Sequence, residues 1–375
     1  MKKIIYLAIP IVLIVGLIFV ISANKQSGNL SSNNMPIKIG AMISLTGVAA
    51  DFGDMSKKAM DLAVEEINNN GGVDGRSVEL YIEDDQTTPQ GSVSAYQKLV
   101  GIQNVDAVIG GIFDFTAQPI FALAQKDKKV FISPVNFQID GSFEMNDYSF
   151  VLYPKFDQVI SQLDSVIADS KINNLAMIRY KSGFGESIEN TLANIMKDKG
   201  AFSVETYTAI GSSDFRTNIL KLVDKKPQAV FLDMLDFDIV KYIEVAEDLN
   251  FKPQLIAYTA MRDMFNNPKV DKSKIEGSIM IDWEVPSDEF VKRFEKKYGQ
   301  KPRRGANKSY DAIYILAESI SKSKTAEEIP KYIESNTFKT VNGDTSFTAK
   351  HSAKDTPINI YKITGGEMVV IKEVR

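Results

Sequence analysis

Residues 37–111 decide the fold of this protein: IKIGAMISLTGVAADFGDMSKKAMDLAVEEINNNGGVDGRSVELYIEDDQTTPQGSVSAYQKLVGIQNVDAVIGG. The apolar run Ile37 to Ile43 predicts a buried strand that ends at a turn. Small and apolar residues then recur at the spacing of one helix face, and Gly71-Gly72 ends that helix. The next predicted elements are a strand at 78–82, a helix from Pro89 and a strand at 106–109. This alternation predicts a parallel sheet that is covered on both faces.

The same alternation continues through the chain. It predicts strand 175–178 with helix 186–199, strand 203–207 with helix 214–223, and strand 229–232 with helix 237–249. The tail differs, with predicted strands at 338–341, 358–363 and 368–371, the last two joined at Gly365-Gly366. A chain of 375 residues is long enough for two domains. The sequence therefore predicts an α/β fold with two doubly wound parallel-sheet lobes.

Composition excludes several classes of function. The chain has no cysteine and one histidine, His351, so thiol nucleophiles, Cys/His zinc sites and iron–sulfur clusters are excluded. The net charge of −4 lacks the basic surplus that nucleic-acid binding needs. No catalytic residue, cofactor site or metal site is predicted, and an exported hydrolase is the weakest of the functions considered.

The N-terminus predicts export from the cytoplasm. Lys2 and Lys3 precede an uncharged apolar run from Ile4 to Ile21, and Ser22-Ala23 provides a small-residue cleavage site. The run is nearly long enough to cross a bilayer core of about 30 Å. Residues 1–23 are therefore either a cleaved signal peptide or a retained membrane anchor, and residues 24–35 form a polar linker.

The folded part resembles the type I periplasmic solute-binding proteins of ABC importers, in the leucine/isoleucine/valine-binding branch. The resemblance covers about 36–375 and rests on the order and spacing of short motifs. These are Ser44-x-Thr46-Gly47, Phe52-Gly53, Ala63-x-x-x-Ile67-Asn68, Gly71-Gly72, Asp84-Asp85, Pro89, AVIGG at 107–111, Gln118-Pro119, Ile132-Ser133-Pro134, Phe184-Gly185 and Ser309-Tyr310-Asp311-Ala312.

The resemblance implies two lobes joined by three crossovers that close on a small solute and deliver it to an ABC permease. Lobe I is predicted over 36–153 plus 284–336, and lobe II over 154–283 plus 337–375. An alternative function is the ligand-sensing ectodomain of a membrane signalling system, held by the N-terminal helix.

The resemblance also implies a set of ligand-binding residues after the strands. They are Phe52, Asp114, Phe115, Thr116, Val135, Asn136, Phe137, Phe184, Asp233 and Thr259. Asp114 falls where the family binds the ligand carboxylate, and Phe137 falls where the family has a threonine. Thr259 lies near the position of the acid that usually meets the ligand ammonium. The sequence therefore keeps the motifs of the family's scaffold but departs from the residues with which the family recognises amino acids.

The acid at position 114 predicts the charge of the ligand. A carboxylate about 4 Å from a ligand carboxylate would cost roughly 4 kcal/mol at an effective dielectric near 20, about a thousandfold in affinity. A neutral or cationic ligand with an apolar part avoids this cost, and the phenylalanines offer cation–π faces. The competing role for Asp114 is that of a helix N-cap.

Two other features are given structural roles. Glu83-Asp84-Asp85 follows a strand and precedes Gln-Thr-Thr-Pro, which predicts a turn and cap rather than a metal or acid/base cluster. His351 lies in a polar loop and is predicted to be a solvated surface residue.

Overall fold

Two parallel sheets with the same strand order form the framework. The computed structural model describes residues 35–134, 146–154, 156–211, 214–283, 286–354 and 356–374. The strands of the first sheet are β1 (Ile37–Ile43), β2 (Val78–Asp84), β3 (Ala107–Gly110), β4 (Val130–Ser133) and β5 (Ser149–Val151), in the spatial order β2-β1-β3-β4-β5. The parallel strands of the second are β6 (Asn174–Tyr180), β7 (Ala201–Tyr207), β8 (Ala229–Asp233), β9 (Gln254–Ala257) and β10 (Ile279–Asp282), in the equivalent order β7-β6-β8-β9-β10. Strands β14 (Ile358–Thr364) and β15 (Glu367–Val374) extend the second sheet beyond β10 as an antiparallel hairpin. The predicted fold class is confirmed.

The first sheet and its helices are built by the opening βα units. Their elements are β1 (Ile37–Ile43), α1 (Ala50–Asn69), β2 (Val78–Asp84), α2 (Pro89–Gly101), β3 (Ala107–Gly110), α3 (Asp114–Asp127), β4 (Val130–Ser133) and β5 (Ser149–Val151). Helix α2 begins where the sequence predicts, since Thr88 caps it by accepting from the Gly91 N–H and Pro89 lacks the donor that a first turn leaves unused.

The second sheet repeats the plan. Its elements are α4 (Phe156–Asp169), β6 (Asn174–Tyr180), α5 (Gly183–Met196), β7 (Ala201–Tyr207), α6 (Arg216–Val223), β8 (Ala229–Asp233), α7 (Asp236–Asp248), β9 (Gln254–Ala257), α8 (Ala260–Asn266) and β10 (Ile279–Asp282). Helix α5 begins three residues earlier than predicted, because Ser182 caps it by accepting from the Gly185 N–H.

The chain then returns to the first core and crosses once more. The remaining elements are α9 (Asp288–Tyr298), α10 (Ala306–Lys322), α11 (Glu328–Ser335), β11 (Phe338–Thr340), β12 (Gly343–Phe347), β13 (Ala353–Lys354), β14 (Ile358–Thr364) and β15 (Glu367–Val374). The passages β5 to α4, β10 to α9 and β13 to β14 are the three crossovers that the resemblance implies.

The segment 338–354 packs with the first sheet rather than the second. Its strands form a separate antiparallel sheet, and Phe338 and Phe347 belong to the hydrophobic core around β1 to β5. Strands β14 and β15 do join the second sheet, as predicted for the C-terminal strands. The lobe boundaries stay a prediction, and this packing favours moving 337–354 from lobe II to lobe I.

His351 corrects the prediction of a solvated surface residue. It is 7% exposed and stacks on Phe150 with 4.3 Å between ring centroids. Its Nδ1 lies 3.0 Å from the carbonyl oxygens of Asn146 and Ser149, and its Nε2 lies 2.9 Å from Glu334. The loop is held at the edge of the first sheet because the Val151 N–H donates to the His351 carbonyl and Ser352 forms a bridge with Val151.

Candidate functional site

A cavity of about 500 Å³ lies between the two sheets, at the carboxyl ends of their strands. In open α/β sheets ligands bind at these ends, where the strand order reverses. Both sheets share that reversal, at β1/β3 and at β6/β8. The cavity walls come from α1 and the β3–α3 loop on one side, and from the loops after β6, β8 and β9 on the other.

Phe52 forms part of the lobe I wall. It is 3% exposed and packs with Ile112 and with Leu235 of the opposite lobe. The guanidinium groups of Arg303 and Arg304 lie 5.2 and 5.0 Å from the centre of its ring. Phe52 therefore lines the cavity with little of its ring exposed, and its contact with a ligand stays a prediction.

Asp114 is the first residue of α3, whereas the N-cap position belongs to Phe113. Its carboxylate lines the cavity and accepts the backbone N–H of Phe115 at 2.8 Å. The Phe184 N–H, at the start of α5 in the opposite lobe, also favours its ionised form. Burial nevertheless raises the pKa of Asp114 above its usual range. Asp114 is thus a contact between the lobes rather than a helix cap.

Phe115 lines the cavity, but Thr116 does not. Thr116 is fully buried, and its hydroxyl accepts the Phe113 N–H at 3.1 Å and donates to the Phe113 carbonyl at 2.9 Å. Such a bond fastens the first turn of α3. The predicted ligand contact of Thr116 does not fit this position, since a hydroxyl at the third helix position turns back toward its own cap. The predicted residues Val135, Asn136 and Phe137 lie outside the described residues.

Phe184 and Asp233 form part of the lobe II wall. Oδ2 of Asp233 lies against the first turn of α5, where a Cβ on Gly185 would approach it to 2.7 Å. A residue larger than glycine would therefore displace the carboxylate. Burial raises the pKa of Asp233 to about 7, with Asp114 adding to the rise and Arg179 and Arg304 opposing it.

Thr259 lines the cavity beside Tyr258. Tyr258 is 6% exposed and Thr259 is 2% exposed, and neither hydroxyl has a hydrogen-bond partner among the residues that the structure describes. Burying an unpaired hydroxyl costs about 1–3 kcal/mol. These two groups thus remain able to bind a ligand or a water molecule.

Sequence reasoning names no individual role for several cavity residues. They are Tyr153, Tyr180, Lys181, Tyr207, Tyr258, Trp283 and Arg304. Tyr258 directly follows β9, so its place after a strand was a usable signal. Arg304 follows no strand and precedes α10, and its sequence neighbourhood gave no sign of the cavity.

Arg303 forms a cross-lobe ion cluster at the edge of the cavity. One of its nitrogens lies 2.6 Å from Asp236, and others lie 3.9 Å from Asp263 and 3.7 Å from Asp51. Asp236 and Asp263 stand at the starts of α7 and α8, and both are 8% exposed. Burial raises the pKa of Asp263 to about 6, against the two neighbouring arginines. The cluster joins the segment before α10 to lobe II.

Within the described ranges, no group of three or more acidic or imidazole side chains could hold a metal ion. Asp84 and Asp85 are used in turn structure, as predicted. Asp84 accepts from Leu45, Thr46 and Gln86, and Asp85 accepts from Ser44 and Thr87. In the same part of the chain, none of the helices combines the length and apolarity that a membrane span requires.

The fold and cleft define a two-lobe protein with an internal binding cavity, and known proteins share this arrangement. The profile of the periplasmic binding protein family matches residues 36–367, so the chain belongs to that family. Leu/Ile/Val-binding protein homolog 7 of Brucella abortus is 24% identical over 319 residues, which are 77% of each chain.

Two solved structures show the same fold. The branched-chain amino acid transporter substrate binding protein of Streptococcus pneumoniae, in complex with isoleucine, has a TM-score of 0.77 at 21% identity and covers 90% of this chain and 98% of its own. An ABC transporter solute binding protein of R. palustris, in complex with benzoate, has a TM-score of 0.79 at 18% identity and covers 90% and 96%.

Proposed function

We propose that this protein is an extracytoplasmic solute-binding protein of an ABC importer, which captures a small solute in the interlobe cavity and delivers it to a permease. The observation that supports this most is the cavity of about 500 Å³. Its volume is in the range of small-molecule pockets, and residues of both lobes line it. The relatives named for branched-chain amino acids favour the same role.

The walls of the cavity favour a solute with an apolar part. In lobe I, Phe115 lies parallel to Phe113 with 5.2 Å between ring centroids. In lobe II, Phe184 packs on Phe156 and Tyr258. We propose that the solute is contacted by Phe52, Asp114, Phe115, Phe184, Asp233 and Thr259, together with Val135, Asn136 and Phe137, which lie outside the described residues.

A thermal-shift screen tests the proposal. The panel contains amino acids, amides, amines, polyamines and aromatic acids, because a solute that binds the folded state raises the melting temperature. Small-angle scattering of the protein with each hit should show compaction as the lobes close. A panel with no hit, together with scattering that no solute changes, would contradict solute capture.

A pair of matched variants locates the binding. Phe184→Ala removes an aromatic side chain from the cavity, whereas Phe202→Ala removes one from β7, in the same lobe II core but away from the cavity. Isothermal titration should show weaker binding of the hit for Phe184→Ala and unchanged binding for Phe202→Ala. Equal effects would indicate that the solute binds elsewhere.

The proposal that the protein is exported rests on the N-terminal segment. Residues 1–34 lie outside the described residues. We propose that residues 1–23 direct export and are either cleaved after Ala23 or retained as an anchor. Mass spectrometry of the protein from membrane and extracytoplasmic fractions distinguishes the two, and a full-length protein found in the cytoplasm would contradict both.

A further inference from the structure

Two carboxylates from opposite lobes flank the same turn of the cavity wall. A Cβ added at Gly183 would lie 4.0 Å from Oδ2 of Asp114 in lobe I, and a Cβ added at Gly185 would lie 2.7 Å from Oδ2 of Asp233 in lobe II. Both side chains line the cavity. Asp114 contributes to the raised pKa of Asp233, which means that the two negative charges oppose each other.

Among the described residues, Arg179 and Arg304 only partly offset the charge of Asp233. No ion pair joins Asp114 or Asp233 to a cation in the described part of the chain. Arg179, the nearest basic side chain on β6, is held in an ion pair by Glu189. Arg304 faces the pair from the segment before α10, where its guanidinium lies over the Phe52 ring.

The other described side chains around Asp233 place no cation in contact with its carboxylate. The cation Lys181 lines the cavity too, but its side chain is exposed, so solvent screens it. Tyr207 and Tyr258 face Asp233 as neutral hydroxyls, and burial holds the pKa of each well above 10. The Tyr180 backbone favours the ionised form of Asp233, yet the pKa of this carboxyl remains near 7.

Two unpaired hydroxyls beside the carboxylates supply further hydrogen-bonding groups for a solute. Tyr258 and Thr259 are each more than nine-tenths buried, line the cavity and have hydroxyls without a partner among the described residues. A primary ammonium carries three hydrogen-bond donors, which suits two carboxylates and a neighbouring hydroxyl. The ring of Phe184, which also lines the cavity, can contact the apolar part of such a solute or its charge.

We propose that Asp114 and Asp233 bind the positively charged group of an organic amine, one carboxylate from each lobe, and that the solute cation holds the cleft closed. The proposal rests on the proposed function and names its solute class. In the absence of the cation, closure brings two carboxylates together and is opposed by their repulsion. The bound ammonium removes that repulsion, so solute binding and lobe closure favour each other.

Matched probes test the charge of the solute. We would titrate the purified protein calorimetrically at pH 8 with three amine/carboxylate pairs: benzylamine and benzoate, 2-phenylethylamine and phenylacetate, 3-methylbutylamine and 3-methylbutanoate. At least one amine should bind about tenfold or more tightly than its carboxylate, the usual size of a hydrogen bond to a charged group. Scattering should show compaction with that amine and none with its carboxylate.

Variants then locate the charge. Asp233→Asn and Asp114→Asn should each weaken binding of the amine about tenfold to a hundredfold and leave carboxylate binding the same or tighter. Asp238→Asn is the matched control, since Asp238 is also a buried acid with a raised pKa but does not line the cavity. Circular dichroism melting checks that each variant folds.

Three outcomes overturn the proposal. A carboxylate that binds more tightly than its amine, or amine binding that both Asp→Asn variants retain, contradicts the charge assignment. Failure of all three amines also overturns it. If the broader thermal-shift panel still yields a neutral or anionic solute that compacts the protein, the proposed function stands and only this inference fails.

Discussion

Asp84 and Asp233 both end a strand in a parallel sheet, but their surroundings differ. Asp84, at the end of β2, accepts two backbone N–H groups and the Thr46 hydroxyl from the loop after β1, and a third N–H from Gln86. These donors hold its pKa below the usual value despite partial burial. Asp233, at the end of β8, has Oδ2 without a partner among the described residues, and its pKa is raised to about 7.

This contrast separates a structural carboxylate from a candidate binding carboxylate. The donors to Asp84 come from its own turn and from the loop beside it, so the folded chain satisfies it completely. The loop after β8 instead turns into the cavity, and its donors do not reach Asp233. A buried carboxylate oxygen that receives no donor from its own lobe is a candidate for binding a solute.

Removing the satisfied carboxylate should have the largest effect on stability. Asp84→Ala leaves the donors of the 45–46 loop without an acceptor, and we expect the free energy of unfolding to fall by about 3 kcal/mol. Urea unfolding measures this loss. Asp54→Ala, an exposed acid on α1 paired with Lys58, is the control and should change stability by less than about 0.5 kcal/mol. Equal effects would show that the loop does not depend on Asp84.

Removing the unsatisfied carboxylate should change the pH dependence of stability. The pKa of Asp233 rises from 3.8 to about 7 on folding. Its contribution to stability is therefore full below about pH 4 and is lost as the pH rises through about 7. In Asp233→Asn this loss is absent, so the decline in unfolding free energy between about pH 5 and pH 8 should be smaller by about 2 kcal/mol.

Urea unfolding of wild type and variant across this range measures that difference. Asp238→Asn is the comparison, because the pKa of Asp238 is raised only to about 6. Its effect should be complete at a lower pH than that of Asp233→Asn. Parallel stability curves for wild type and Asp233→Asn would contradict the raised pKa of Asp233.

A third kind of carboxylate is paired with a cation of the other lobe. Arg303→Gln breaks the ion pairs with Asp236 and Asp263, so the closed arrangement should be less populated. We expect solute affinity to fall about fivefold, roughly 1 kcal/mol, and the radius of gyration of the solute-free protein to increase. Lys57→Gln, which breaks a pair within α1, should change neither quantity. An unchanged affinity in Arg303→Gln would show that the cluster does not support closure.

Two threonine hydroxyls differ in the same way, one structural at Thr116 and one proposed to bind the solute at Thr259. Thr116→Val removes the bonds to Phe113 and should cost about 0.5–1 kcal/mol of unfolding free energy, with solute affinity unchanged. Thr259→Val removes a hydroxyl without a protein partner among the described residues. It should leave stability equal or higher and weaken solute binding. The opposite pattern in titration and urea unfolding would restore Thr116 to the binding site.

Particular residues show how much of the site can be predicted from the sequence. Phe184 and Asp233 lie just after strands, so the rule that ligands bind at the carboxyl ends of parallel strands places them correctly at the cavity. Thr116 also lies just after a strand, but its side chain does not line the cavity. The rule locates a loop and does not give the direction of each side chain along it. Arg304 reaches the cavity from before a helix, and no rule about strand ends includes it.

Sequence patterns predict the alternating strands and helices of 37–111 and 175–249, the two α/β sheets and the C-terminal hairpin. Each of these follows from periodic burial and from turn residues within a few positions, which act locally along the chain. The tertiary structure alone decided which carboxylates remain unpaired, the contact of Asp114 with the Phe184 N–H, the burial of His351 and the pairing of Arg303 with lobe II. The physical reason is that whether a polar group is satisfied depends on donors from distant segments, and their positions are set only when the two lobes are brought together.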